Sequence, residues 1–97
     1  MMATASAYHI LVKTREEADM LLAKLKKGAD FNKLAKQHSL CPSKRRGGDL
    51  GEFKKGDMVK AFDDVVFKKP LFEVQGPVKT KFGWHLIKTV YRSTDWK

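Results

Sequence analysis

Polar and apolar positions alternate along residues 8–13: Tyr8, Ile10 and Val12 on one side, His9, Leu11 and Lys13 on the other. That period of two predicts a strand. The period then changes. Ala18, Leu21, Leu22 and Leu25 stand at i, i+3, i+4 and i+7, the apolar stripe of a helix. Thr14 sits where an N-cap belongs, Glu17 completes a capping box three residues on, and Gly28 stops the helix. Asp30 caps a second, shorter helix with Phe31, Leu34, Ala35 and His38 on its inner face. It must end before Pro42, because the residue preceding a proline resists the helical region.

Residues 41–51 hold one proline, three glycines and a basic run with no apolar period, and read as loop. A short strand is predicted over 50–53. Asp57 is expected to cap a third helix, in which Met58, Phe62, Val65 and Val66 share a face. Pro70 and Gly76-Pro77 bracket an irregular connection. Two strands over 78–80 and 84–91 follow, joined by a tight turn at Gly83. In the last one His85, Ile87, Thr89 and Tyr91 lie opposite Trp84, Leu86, Lys88 and Val90. The order strand, two helices, loop, short strand, helix, hairpin makes an α+β domain with a small antiparallel sheet. So few strands need helices over at least one face.

Length and charge narrow the class. Ninety-seven residues make one domain with one core. A single cysteine, Cys41, excludes an intramolecular disulfide and fits a reducing compartment. The first six residues have neither the basic nor the apolar region of a secretory signal, and no run is long enough to span a membrane. If the chain is the whole gene product, a soluble cytoplasmic monomer is expected. The net charge of +9 raises the question of nucleic acid. However, the basic residues are dispersed, only four are arginines, and the only dense run is Lys44-Arg45-Arg46. A solvated basic surface is the better reading.

Reactive side chains are few: His9, His38, His85, Cys41 and scattered hydroxyls. Each has a plain reading, as core histidine, helix-end histidine or small buried hydrophobe. A Cys-His hydrolase would need an orienting third group and an oxyanion hole, and neither is recognisable. Zinc would need three or four ligands at local spacing, and no metal is expected. Gly47-Gly48-Asp49-Leu50-Gly51 lacks the Lys-Ser/Thr ending of a phosphate-binding loop.

Four segments in order carry a resemblance further. They are Tyr8-His9-Ile10-Leu11-Val12-Lys13, then Gly47-Gly48-Asp49-Leu50-Gly51-Glu52-Phe53, then Met58-Val59-Lys60-Ala61-Phe62, and finally residues 76–88. Together they resemble the successive motifs of the parvulins, a family of peptidyl-prolyl cis/trans isomerases. The resemblance implies a domain over residues 7–92 between tails at 1–6 and 93–97, the first of them disordered. It implies a four-stranded antiparallel sheet flanked by about four helices, the extra short helix falling within 41–48. It implies no cofactor, no metal and no membrane, with proline-containing unfolded or flexible polypeptides as substrates. Position by position, His9 and His85 resemble the family's paired histidines, and Cys41 the residue that is Cys or Asp. Thr80 resembles the hydroxyl of the histidine network, and Leu50, Met58 and Phe62 the apolar pocket for the proline ring. Phe82 falls where some members carry a smaller polar residue. The phosphate-dependent branch carries a basic cluster in a long loop after the first strand. Here Lys13-Thr14-Arg15 leads straight into the helix, so phosphate-independent specificity is expected.

Overall fold

The structure, a computed structural model, describes residues 3–93. The first strand is central because both its faces are apolar. β1 (Thr4–Val12) sends Ile10 and Val12 to one side and Ala5, Ala7 and His9 to the other, all of them buried. It pairs with β2 (Asp49–Lys54) on one edge and β4 (Gly83–Ser93) on the other, and β4 pairs with β3 (Val74–Thr80). The sheet order is β2-β1-β4-β3, antiparallel throughout, in the α+β class expected.

β1 begins at Thr4, which pairs with Lys54 and Ser93, and β4 extends to Ser93. Residues 4–6 and residue 93, expected as tails, are therefore strand. Small residues such as Ala5, Ser6 and Ala7 carry too little periodic signal to announce it. Of the rest of the expected tails, residues 1–2 and 94–97 lie outside the described residues.

α1 (Arg15–Lys26) and α2 (Phe31–His38) cover one face. Ala18, Leu21, Phe31, Leu34 and Ala35 close over Ile10, Val12 and Leu86 as one buried cluster. Both helix starts are as expected: Thr14 Oγ1 accepts from Glu17 N at 3.2 Å, and Asp30 Oδ1 from Asn32 N at 2.9 Å. α3 (Lys60–Lys68) covers the other face, where Phe62, Val65 and Val66 pack on Ala5, Ala7, Phe53 and Ile87.

The start of α3 departs from expectation. Its N-cap is Val59, which offers no capping side chain, and Asp57 is not the cap. Asp57 instead accepts from Lys54 N through Oδ2 at 3.0 Å, closing the turn between β2 and α3. Met58 therefore precedes the helix, and its spacing from Phe62 is not a helical one. The expected loop at 41–51 contains a single 3-10 turn, Pro42–Arg46, and the first residues of β2. That turn stands where the resemblance put a short helix.

Phe72, between α3 and β3, has φ +66 and exposes 66 % of its surface. A side chain in that left-handed region costs roughly 1–2 kcal/mol, and this ring recovers little by burial. Phe72→Gly should therefore raise stability by about 0.5–1 kcal/mol, the greater freedom of an unfolded glycine offsetting part of the gain. Thermal unfolding checks it, with a rise of a few degrees expected. A lower melting temperature would mean that the exposed ring contributes contacts outweighing the strain.

Candidate functional site

Nine helical residues span about 14 Å, whereas the eleven residues of β4 span about 36 Å. α3 therefore leaves part of its face of the sheet uncovered. The uncovered part is the floor of a cleft of about 490 Å³. The strand register decides what lies there. Leu11 pairs with His85 and His9 with Ile87, so His9, Leu11 and His85 are direct or diagonal neighbours on one face.

The two histidines are hydrogen-bonded, Nδ1 to Nδ1 at 3.2 Å, with ring centroids 5.3 Å apart and nearly parallel. His85 Nε2 lies 2.7 Å from Thr80 Oγ1, which also accepts from Phe82 N at 3.1 Å. Two proton arrangements satisfy the chain, because a hydroxyl oxygen can accept twice. With Thr80 donating to His85 Nε2, His85 Nδ1 donates to His9 Nδ1; with His85 Nε2 donating to Thr80, His9 Nδ1 donates to His85 Nδ1. In both, His9 Nε2 is buried and has no partner among the described residues.

Both rings are neutral at pH 7. Burial lowers His9 from 6.5 to about 4, with the neighbouring His85 adding to the shift, and burial alone lowers His85 to about 4. The edge of Phe62 meets both rings, at 5.6 Å from His9 and 5.5 Å from His85. The floor of the cleft is thus a low-polarity surface that holds its few hydrogen bonds internally.

Three connecting segments and one strand form the walls. Met58 and Val59 come from the turn before α3, and Phe82 and Lys81 from the β3–β4 turn. Leu40, Cys41 and Pro42 come from the segment after α2, and Leu50 from β2. That third segment is fastened to β1. Ser39, 1 % exposed, accepts from Leu11 N at 3.0 Å and from Cys41 N at 3.3 Å. Leu40 N donates to Leu11 O, and His9 N donates to Gly48 O. Gly48 has φ +93, and a Cβ there would lie 2.5 Å from His9 O, so only glycine allows this approach.

Residues 1–93 match the family described as PPIC-type PPIase domain. The chain belongs to that family, the parvulin-type peptidyl-prolyl isomerases. It is 52% identical over 83 residues to the foldase protein PrsA of Geobacillus sp. (strain WCH70), covering 84% of this chain and 30% of that protein. The chain thus spans about a third or less of the length of such curated relatives. Among solved structures it resembles the peptidylprolyl isomerase PrsA of Bacillus anthracis, with TM-score 0.92 and 37% identity over 96% of this chain and 43% of that one. It also resembles NmPin, the parvulin of Nitrosopumilus maritimus, with TM-score 0.81 and 44% identity over 91% of this chain and 96% of that one.

Within this PPIase domain the expected site residues fall into two groups. His9, His85 and Thr80 form one hydrogen-bonded chain. Leu50, Met58, Phe62, Phe82 and Cys41 line the cleft beside them. The Cys41 thiol stands apart: among the described residues it makes no hydrogen bond to either histidine. Phe62 is only 3 % exposed, so it belongs to the core as much as to the cleft. Sequence reasoning missed Leu40, Val59, Lys81 and the anchoring Ser39. For Leu11 the signal was present, since alternation already put it on the face of His9.

Proposed function

We propose that this domain isomerises Xaa-Pro bonds of unfolded or flexible polypeptides without covalent catalysis, with the proline ring seated over His9, His85 and Phe62. The observation that carries this reading is an apolar cleft that ends on two neutral, mutually bonded histidines. The barrier to rotation about a peptide bond, roughly 18–20 kcal/mol, arises from amide resonance lost on twisting. Water favours the planar, polar amide. Met58, Leu50 and Phe82 exclude that water, and neutral histidines hold no charge that would favour the polar ground state. No bond is broken, so no cofactor or nucleophile is required. Cys41 acts on this reading through polarity from the cleft wall.

Phosphate-independent specificity accompanies the proposal. Lys13 and Arg15 are exposed, and Arg15 is occupied by Asp19 at 3.7 Å and by the Trp84 face at 5.5 Å. Exposed cations of this kind contribute about 0–1 kcal/mol. The name foldase, borne by the PrsA relatives, supports folding polypeptides as clients. A reduced Cys41 suits a reducing compartment such as the cytoplasm, and a cleft built by one chain suits a monomer. No helix among the described residues is long and apolar enough to cross a membrane.

A protease-coupled assay on an Ala-Pro tetrapeptide tests the proposal. Acceleration of cis-to-trans conversion should be equal with and without EDTA. Cys41→Asp should retain substantial activity, and Cys41→Ala should lose more. Peptide binding without acceleration would make the domain a binding module instead. A trapped adduct on Cys41 would restore a covalent role.

A further inference from the structure

The weak point in the cleft's construction is the start of α3. Val59 occupies the N-cap but is apolar and lines the cleft, and no side chain caps the helix there. Met58, just before it, also lines the cleft, and Asp57 beside it is exposed. Nothing in those three residues fixes the turn to the helix through a side chain. Asp57 faces backward, to Lys54 N.

Asp63 supplies the missing tie. It lies in the first turn of α3, 7 % exposed, and its Oδ2 accepts from Gly56 N at 2.6 Å. Gly56 has φ +98, a conformation other residues rarely adopt, so the chain reverses there in one defined way. Asp63 Oδ1 is buried and has no partner among the described residues. A carboxylate in this place is costly to bury with one oxygen unpaired. The partial positive charge at the helix start favours it, but an ordinary cap at position 59 would serve the helix better.

We propose that Asp63 is a positioning residue for the isomerase, holding the Gly56 turn from beneath so that Met58 and Val59 can face the cleft. The apolar N-cap, the buried carboxylate and the left-handed glycine then form one arrangement. The position that would normally cap the helix is used as cleft wall, and the tie between helix and turn is made instead by the residue four positions further on. Asp63 touches no substrate and acts through the wall alone. The inference rests on the proline-isomerase reading for its kinetic consequence only.

Three variants of the full chain test it. Asp63→Ala should raise KM for the Ala-Pro peptide about fivefold or more with kcat within about twofold, because the wall is misplaced while the histidine floor stands. Asp63→Asn should stay near wild type, since its amide oxygen can accept from Gly56 N and its NH₂ replaces the unpaired Oδ1. Asp63→Glu, one methylene longer, should fold yet raise KM, which keeps the test decisive if Asp63→Ala does not fold. The Met58 methyl resonance, read by NMR without substrate, should shift in the Ala and Glu variants and not in Asn. That readout stands even if the wild-type chain proves inactive, an outcome that would overturn the isomerase reading and leave the positioning role intact. An unmoved Met58 methyl and unchanged KM in Asp63→Glu would overturn the proposal. Loss of stability alone, with wild-type KM in the folded fraction, would do so equally.

Discussion

Phe62→Ala should leave a domain that is barely folded, whereas Met58→Ala should fold nearly normally and fail at turnover. Phe62 is 3 % exposed and packs edge-on against Phe53 at 6.3 Å as well as against both histidines. Removing a buried phenylalanine costs roughly 3–5 kcal/mol, a large share of the 5–15 kcal/mol that holds a typical domain together. Met58 is half-buried on the cleft wall, so its truncation opens space that solvent can enter. Its cost should stay near 1 kcal/mol, while the proline ring loses one of its walls. Urea unfolding of both variants separates the cases, together with isomerase assays on whatever remains folded. If Met58→Ala loses on the order of 3 kcal/mol, or Phe62→Ala less than 1 kcal/mol, the division between core and wall is wrong.

Sequence spacing could not make that division. Met58 and Phe62 stand four apart and look like one helical face, yet α3 starts only at Lys60. The misreading came from Asp57, a good capping residue that bonds back to Lys54 instead. Which of several nearby polar residues caps a helix depends on the turn before it, and Gly56 sets that turn. Where local signals met no competition they held. Thr14 and Asp30 cap α1 and α2, and the alternation of β1 and β4 sorted their side chains between the two faces.

The histidine pair was legible only through the resemblance. Residues 9 and 85 are separated by 76 positions, and no periodicity specifies the register that makes them neighbours. The anchoring of the Cys41 segment was invisible for a similar reason. Ser39 reads as an ordinary helix-end serine until Leu11 and Cys41 are both seen to donate to it.

Acid should destabilise the domain between pH 6.5 and about 4, with the histidine pair as a main cause. Both imidazoles are held neutral in the fold, each lowered from 6.5 to about 4, but they protonate near 6.5 once the chain unfolds. Across that window the unfolded state binds more protons, so stability rises with pH and is lost as pH falls. The contribution is complete above about 6.5 and gone below about 4. A single fully buried histidine gives a slope of about 1.4 kcal/mol per pH unit at its steepest. His9 should approach that, and His85, which borders the open cleft, should give less because solvent screens it. Urea midpoints at pH 7.5, 6.0, 5.0 and 4.5 measure the slope in wild type and in a His9→Asn/His85→Gln variant. His38, 3.8 Å from the Glu17 carboxylate, is present in both proteins, so the difference between the two curves reports the cleft pair. The imidazole Cε1–H signals of His9 and His85 should meanwhile stay at their neutral positions down to pH 5. Signals that titrate near 6.5, or parallel stability curves for the two proteins, would mean that the rings are hydrated and that the dry floor assigned to the cleft does not exist.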